Sequence, residues 1–173
     1  MKKHFLKLTA MLLTLSLAQF STSCKEEEED KPSPTATVYE ETNGVVRVQD
    51  LGEGTGTITW TADKVYLLDG LVFVNSGQTL TIEAGTVIKG QPGQEADASA
   101  MIVARGGKIM AEGTAAAPII FTAEADQLTG NLDVNSRGLW GGLIVLGAAK
   151  LNSDPGVTSI EGLPTTEPRG EYG

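Results

Sequence analysis

From residue 57 the chain alternates short apolar runs with glycine-bearing polar breaks: "TITW", "LVFV", "TLTIEAG", "TVIKG", "MIVARG", "PIIFTA" and "LIVLG". Each run is a few residues long and rich in Val, Ile, Thr or an aromatic, and glycine closes most of them. That is the composition of β-strands bounded by turns. No amphipathic helical period competes with it. Within the first run Thr57, Thr59 and Thr61 fall on one face, and Ile58 and Trp60 on the other.

The runs also repeat. A shift of 22 residues places Leu80 on Ile58 and Ile82 on Trp60. A shift of 21 places Leu80 on Met101, Ile82 on Val103, Gly85 on Gly106 and Ile88 on Ile109. A shift of 42 carries Met101, Val103, Lys108 and Ile109 onto Leu143, Val145, Lys150 and Leu151. A period of 21 to 22 residues holding several short strands predicts a stack of coils about 4.8 Å apart, none of which buries its apolar side alone. A leucine-rich repeat would need a regular Leu ladder with an Asn position, and a hexapeptide β-helix a period of six. Neither is present, so the expected fold class is all-β, a parallel β-helix. Glycines 77, 85, 90, 106 and 113 stand at run ends, where positive φ or close packing turns the chain.

The N-terminal part has a different texture. Lys2, Lys3 and Lys7 precede the apolar run "LTAMLLTLSLAQF", and the small residues Ser21–Ser23 follow. This order is that of an export signal rather than a core helix, and the run is too short to span a bilayer stably. Next stands Cys24, the chain's one cysteine. A single thiol excludes an internal disulfide and any cysteine-based zinc site. "STSC" resembles a bacterial lipoprotein signal, which implies that Cys24 receives a diacylglyceryl group and anchors the protein to a membrane. The alternative is a free thiol beside an ordinary cleavage site.

The acidic run "KEEEED" cannot be buried, so with "KPSPTAT" it reads as an extended tether. Lys25, Glu26 and Glu27 also resemble the Lys-acid-acid signal that sends Bacteroidota lipoproteins to the outer face of the outer membrane. A generic solvated linker accounts for them equally. Without residues 1–23 the chain keeps 10 basic and 22 acidic residues, a net charge of −12. Such a body is repelled by nucleic acid and by anionic membrane surfaces.

Three stretches carry a more specific likeness: "LLDGLVFVNSGQTLTIEAGTVIKG", "ARGGKIMAEGTAAAPIIFTA" and "RGLWGGLIVLGAAKLN". Across residues 66–152 they resemble a family of Bacteroidota cell-surface lipoproteins with a right-handed, pectin-lyase-like β-helix. The resemblance implies an outer-membrane, surface-exposed location. Members of that family run well beyond 173 residues, whereas this chain stops at "PTTEPRGEYG", partway through what reads as a loop. It therefore reads as an N-terminal fragment. The expected layout is a signal at 1–23, lipidated Cys24 and tether at 24–37, an N-terminal cap at 38–56, coils at 57–152, and an irregular loop at 153–173.

The architecture also hosts polysaccharide lyases and glycoside hydrolases, so an active site must be sought in the residues themselves. A glycosidase needs two converging carboxylates, and a lyase of this type clustered Asp ligands with a basic residue as base. Asp69, Glu83, Asp97, Glu112 and Asp126 are scattered singly, and Arg105 and Arg137 lack an adjacent acid cluster. All read as solvent-facing. The one histidine, His4, lies in the signal. No catalytic residue, metal site or cofactor is therefore assigned.

Binding is expected instead in two polar loops, residues 91–99 with Asp97 and residues 124–138 with Asp126, Asp133 and Asn135. They would project from one side if the coils align. Asp133, Asn135 and Gly138 faintly match a calcium loop but lack its terminal bidentate acid, so a solvated loop is the plainer reading. Trp60 and Trp140 flank apolar strands, which favours core packing over a sugar platform. The function expected is that of a non-catalytic, lipid-anchored surface protein displaying loops for adhesion or for a glycan or protein partner. The alternative is the N-terminal part of a polysaccharide lyase or glycoside hydrolase whose site lies beyond Gly173.

Overall fold

A computed structural model describes residues 36–164 and 166–173. The export signal, Cys24, Lys25, Glu26, Glu27 and nearly all of the tether lie outside the described residues. The rest is built of thirteen short strands and two single 3-10 turns. They are β1 (Val38–Thr42), β2 (Val45–Gln49), β3 (Ile58–Trp60), β4 (Val65–Leu68), β5 (Leu71–Val74), β6 (Thr79–Ile82) and β7 (Val87–Gly90), then β8 (Ala100–Val103), β9 (Lys108–Ala111), β10 (Ile120–Ala123), β11 (Gly142–Val145), β12 (Thr158–Ser159) and β13 (Glu171–Tyr172).

Three sheets contain the coils. The first has the order β1-β2-β4-β7-β10, the second β5-β8-β11 and the third β3-β6-β9. Every pairing in them is parallel except β1 with β2. From β4 the chain visits first, second and third sheet in turn and begins again, which is the winding of a parallel β-helix. The first parallel strand is β2, inside the stretch read from sequence as a cap. β1 alone closes the edge of β2 as an antiparallel hairpin turned by Asn43 and Gly44, both at positive φ.

The shift of 22 holds and that of 42 holds in part. Ile58 pairs with Leu80 and Trp60 with Ile82, and Leu143 pairs with Met101 and Val145 with Val103. Lys150 and Leu151, by contrast, lie outside any strand. The shift of 21 is wrong. Leu80 stands on Ile109, 29 residues later, and Met101 stands on Val72 in a different sheet. The cause is the loop between β7 and β8, which lengthens this coil by seven residues over the 22 that separate Ile58 from Leu80.

Two kinds of strand follow from two kinds of environment. β6 and β7 alternate half-buried and buried residues, so Leu80, Ile82 and Ile88 point inward while Thr79, Thr81 and Lys89 line the outside. In β5 and β8 of the second sheet both faces are covered, and "LVFV" and "AMIV" are continuously apolar, whereas Leu143 and Val145 of β11 are exposed. Val72, Val74, Met101 and Val103 join the central core with Trp60, Tyr66 and Leu68. On the other face of the same strands, Phe73, Ala100 and Ile102 form a second core with Ala104 and Leu146. Burying a side chain such as Phe73 stabilises the fold by about 2–3 kcal/mol.

What covers that outer face is the segment after residue 153, expected from sequence to be an irregular loop. It holds the antiparallel pair β12–β13, and Ile160, Leu163 and Tyr172 pack on the second core. The segment is fixed by Arg169, whose guanidinium lies 3.8 Å from the centroid of the Phe73 ring and donates through Nη1 to Asp50 Oδ2 at 2.9 Å. Glu167 receives the other edge of the guanidinium at 2.6 and 2.7 Å. The Asp50 side chain is completely buried and also accepts the N–H groups of Gly52, Gly54 and Phe73. One carboxylate thus ties together the loop after β2, strand β5 and the C-terminal segment.

Trp60 is fully buried and stacks on Tyr66 with ring centroids 4.4 Å apart, which establishes core packing as its role. Beside it the Tyr39 hydroxyl donates to the Thr55 carbonyl at 2.9 Å. Burial pushes the Tyr39 phenol up to about 12, with the Asp50 charge adding to the rise. Below pH 10 folded and unfolded chains both keep this proton. Between pH 10 and 12 the unfolded chain loses it first, so stability falls as pH rises, by about 2 kcal/mol at pH 12. Urea midpoints measured across that range should fall more steeply for wild type than for Tyr39→Phe; parallel curves would place the phenol in water.

Candidate functional site

The first and second sheets meet at a corner that the chain crosses three times. Between β4 and β5 it needs only Asp69 and Gly70, but between β7 and β8 it inserts residues 91–99 and between β10 and β11 residues 124–141. Both insertions leave and return through one backbone ladder. Gln91 N donates to Leu68 O at 3.1 Å and Glu124 N to Gly90 O at 2.8 Å as the loops depart. Ala100 N reaches Gly70 O at 3.2 Å and Gly141 N reaches Ser99 O at 2.7 Å as they return. The parallel register of the strands therefore stacks the two polar loops on the same corner.

The longer loop is pinned to the coil by Trp140. Its ring lies against Gly90, where an added Cβ would come within 2.5 Å of Cε3, so only glycine leaves the space. The ring packs on the central core with Phe121 and remains half-buried. Between this ring, β10 and the returning loop is a cleft of about 330 Å³, walled by Phe121, Thr122, Leu132, Ser136, Arg137 and Trp140 among others. Arg137 was expected to face solvent. It is exposed, yet its Nη1 is held at 2.9 Å by both the Val134 and the Ser136 carbonyls, which fixes the guanidinium at the cleft rim.

The acids expected to bind are divided among separate tasks. Asp126 accepts the Thr122 hydroxyl at 2.7 Å and the Leu128 N–H at 2.8 Å. Those two bonds, the Thr122 hydroxyl first, hold its carboxyl below the usual carboxylate range. Asp133 Oδ1 accepts the Asn135 N–H at 2.7 Å, an Asx turn that reverses the loop. Asp97 is exposed in a 3-10 turn of the shorter loop. Among the described residues no hydrogen bond joins the side chains of Asp97, Asp126, Asp133 and Asn135, and no group of three or more His, Cys, Asp or Glu could hold a metal.

The other residues read as solvent-facing are partly engaged. Asp69 pairs with Arg47, and Glu83 accepts the Ala62 N–H at 3.1 Å. Arg105 donates to Glu171 and to the Gly173 carbonyl, each at 2.8 Å. With Asn75, Ser76 and Arg169 it lines a second cleft of about 340 Å³. Both arginines there are occupied by Asp50, Glu167 and Glu171, so this cleft is a seam of the C-terminal segment rather than an open basic site.

Thr122 and Ser136 escaped sequence reasoning as cleft residues, because nothing in a Thr within a strand or a Ser within a polar loop marks them. A signal for Trp140 was available: an aromatic directly before Gly141–Gly142 at a coil entry, one coil after the bare glycine at 90.

The family model described as pectate-lyase like beta helix domain matches residues 52–165, a span that contains both loops and every coil from β3 onward. No curated protein and no solved structure matches the chain.

Proposed function

The chain belongs to the pectate-lyase-like β-helix domain family, and from that premise we propose that it is a non-catalytic surface protein presenting the two corner loops to a glycan or protein partner. In this reading Cys24 carries the lipid anchor, residues 25–37 form the tether, and the coils are right-handed. Lys25, Glu26 and Glu27 direct the protein to the outer face of a Bacteroidota outer membrane. The observation that carries the proposal is the coincidence of both long insertions at one corner, stacked by the parallel register, beside a cleft. Loops held on a rigid scaffold are where recognition concentrates. The engagement of Asp126 and Asp133 with their own loop supports display over catalysis, because a hydrolase would aim two carboxylates at one bond.

The lipid anchor is tested by metabolic labelling with a fatty-acid analogue. Wild type should be labelled and should sediment with membranes, whereas Cys24→Ala should be unlabelled and soluble. Equal labelling of the two would end the lipoprotein reading. In intact cells, protease should cut within residues 124–141 of the wild type from outside. Depolymerisation of an acidic polysaccharide by the purified chain would instead favour a lyase or hydrolase.

A further inference from the structure

The cleft beside Trp140 carries a more specific reading, which rests on the display function of these loops. Its walls combine an aromatic ring, an apolar floor from Phe121 and Leu132, and three polar side chains of different hydrogen-bonding character. The Trp140 ring is already immobilised on Gly90, so a ligand meeting its remaining surface need not order it. Arg137 has Nη1 tied to two carbonyls, while among the described residues its Nε and Nη2 protons have no partner and remain as donors. Thr122 gives its hydroxyl proton to Asp126, leaving its oxygen as an acceptor. The Ser136 hydroxyl makes no hydrogen bond among the described residues and can act either way.

An aromatic ring flanked by a fixed donor, a fixed acceptor and an adaptable hydroxyl matches a sugar, which has an apolar C–H face and hydroxyls that both donate and accept. We infer that this cleft binds a neutral hexopyranose unit of a glycan, its C–H face on Trp140 and its hydroxyls on Arg137, Ser136 and Thr122. At about 330 Å³ the cleft stands at the low end of the roughly 300–1,000 Å³ range of ligand sites, a size for a terminal unit or short segment. Neutrality follows from charge. Arg137 is the one cation of the wall and Lys89 stands beside Thr122 on the adjoining strand, but the same loop carries Glu124, Asp126 and Asp133, and the whole chain has a net charge of −9. An acidic sugar would gain one ion pair against that surrounding field.

The test uses tryptophan fluorescence of the whole chain. Trp60 is fully buried and Trp140 half-buried, so quenching by iodide reports chiefly on Trp140. Cellobiose, galactobiose, mannobiose and digalacturonate are titrated separately. At least one neutral disaccharide should shield Trp140 saturably, and digalacturonate should bind more weakly than that probe. Arg137→Ala should weaken binding about tenfold or more, the loss of a fixed charged donor. Trp140→Ala opens a gap over Gly90 and can loosen the loop, so the exposed Arg137 provides the decisive variant, with an unchanged melting curve as its control. The inference is overturned if no neutral probe shields Trp140, if digalacturonate binds tightest, or if Arg137→Ala binds as well as wild type. Cys24 labelling reports separately on surface anchoring, so either idea can fail without the other.

Discussion

Replacing Asp50 with alanine is expected to destabilise the protein by about 3–5 kcal/mol, a large share of the roughly 5–15 kcal/mol that holds a typical domain together. The Asp50 side chain has no exposure to water. Its Oδ1 accepts from Gly52 N at 2.8 Å and Gly54 N at 2.9 Å, and its Oδ2 accepts from Phe73 N at 3.1 Å and Arg169 Nη1 at 2.9 Å. Alanine would leave three backbone donors without that carboxylate: Gly52 is exposed and can turn to water, while those of the buried Gly54 and Phe73 would each cost about 1–3 kcal/mol. Arg169 would suffer less, because it retains Glu167 and the Phe73 ring.

The reverse change separates the two halves of this argument. Arg169→Leu keeps Asp50 bonded to its backbone donors but removes both the clamp on the C-terminal segment and the guanidinium that pairs with this buried carboxylate, so its cost should be comparable, about 3–5 kcal/mol. Urea unfolding gives both values. Hydrogen exchange adds location: Arg169→Leu should accelerate the Ile160 amide, which donates to Gly170 O, while leaving the amides of β6 and β7 protected. A cost below about 1 kcal/mol for Asp50→Ala would mean that water or another acceptor replaces the carboxylate, and that the staple is not built as described.

Acid should undo the same clamp. The Arg169 guanidinium is the main cause holding the Glu167 carboxyl below its ordinary value. A depressed folded value means that the contribution is present above the unfolded carboxylate range and is lost as pH falls through the folded one. Release of the C-terminal segment is therefore expected only below about pH 4.

Local pattern made the strands, the repeat and the loops legible, because each is written in neighbouring residues: Thr57, Thr59 and Thr61 against Ile58 and Trp60, or glycine at the run ends. The pairing of Leu80 was not legible. Leu80–Ile82 and Met101–Val103 look alike as inward pairs followed by glycine, and a seven-residue lengthening hides the true partner Ile109. Continuous apolar sequence does not mark the second sheet either, since "VYLL" of β4 is as apolar as "LVFV" of β5 yet lies in the first sheet and alternates in burial. The Asp50–Arg169 bond spans 119 positions and obeys no period, so only the folded chain displays it. The corner loops were recognisable as loops, but the cleft depends on where Trp140 meets Gly90.

That corrected register makes its own demand. Ile82 is 2 % exposed and stands between Trp60 and Ala111 in the stack of the third sheet, among apolar neighbours. Ile82→Asp should cost about 3–5 kcal/mol, the combined loss of apolar burial and the penalty for an unpartnered carboxylate. Such a carboxyl escapes part of the penalty by keeping its proton, so its folded pKa rises above the unfolded value. The added destabilisation is then smallest below about pH 4 and grows as pH rises toward neutrality. Thr81→Asp places the same group one residue away on the outer face, between Thr59 and Met110, where water reaches it. Its cost should stay within about 1 kcal/mol and should not follow pH in that way. Urea midpoints of the two variants at pH 4 and pH 7 decide the matter. A larger loss for Thr81→Asp would reverse which face of β6 looks into the coil, and with it the pairing of Leu80 on Ile109, because a strand shifted by one residue exchanges its two faces; equal losses would mean that β6 has no inner and outer face as described.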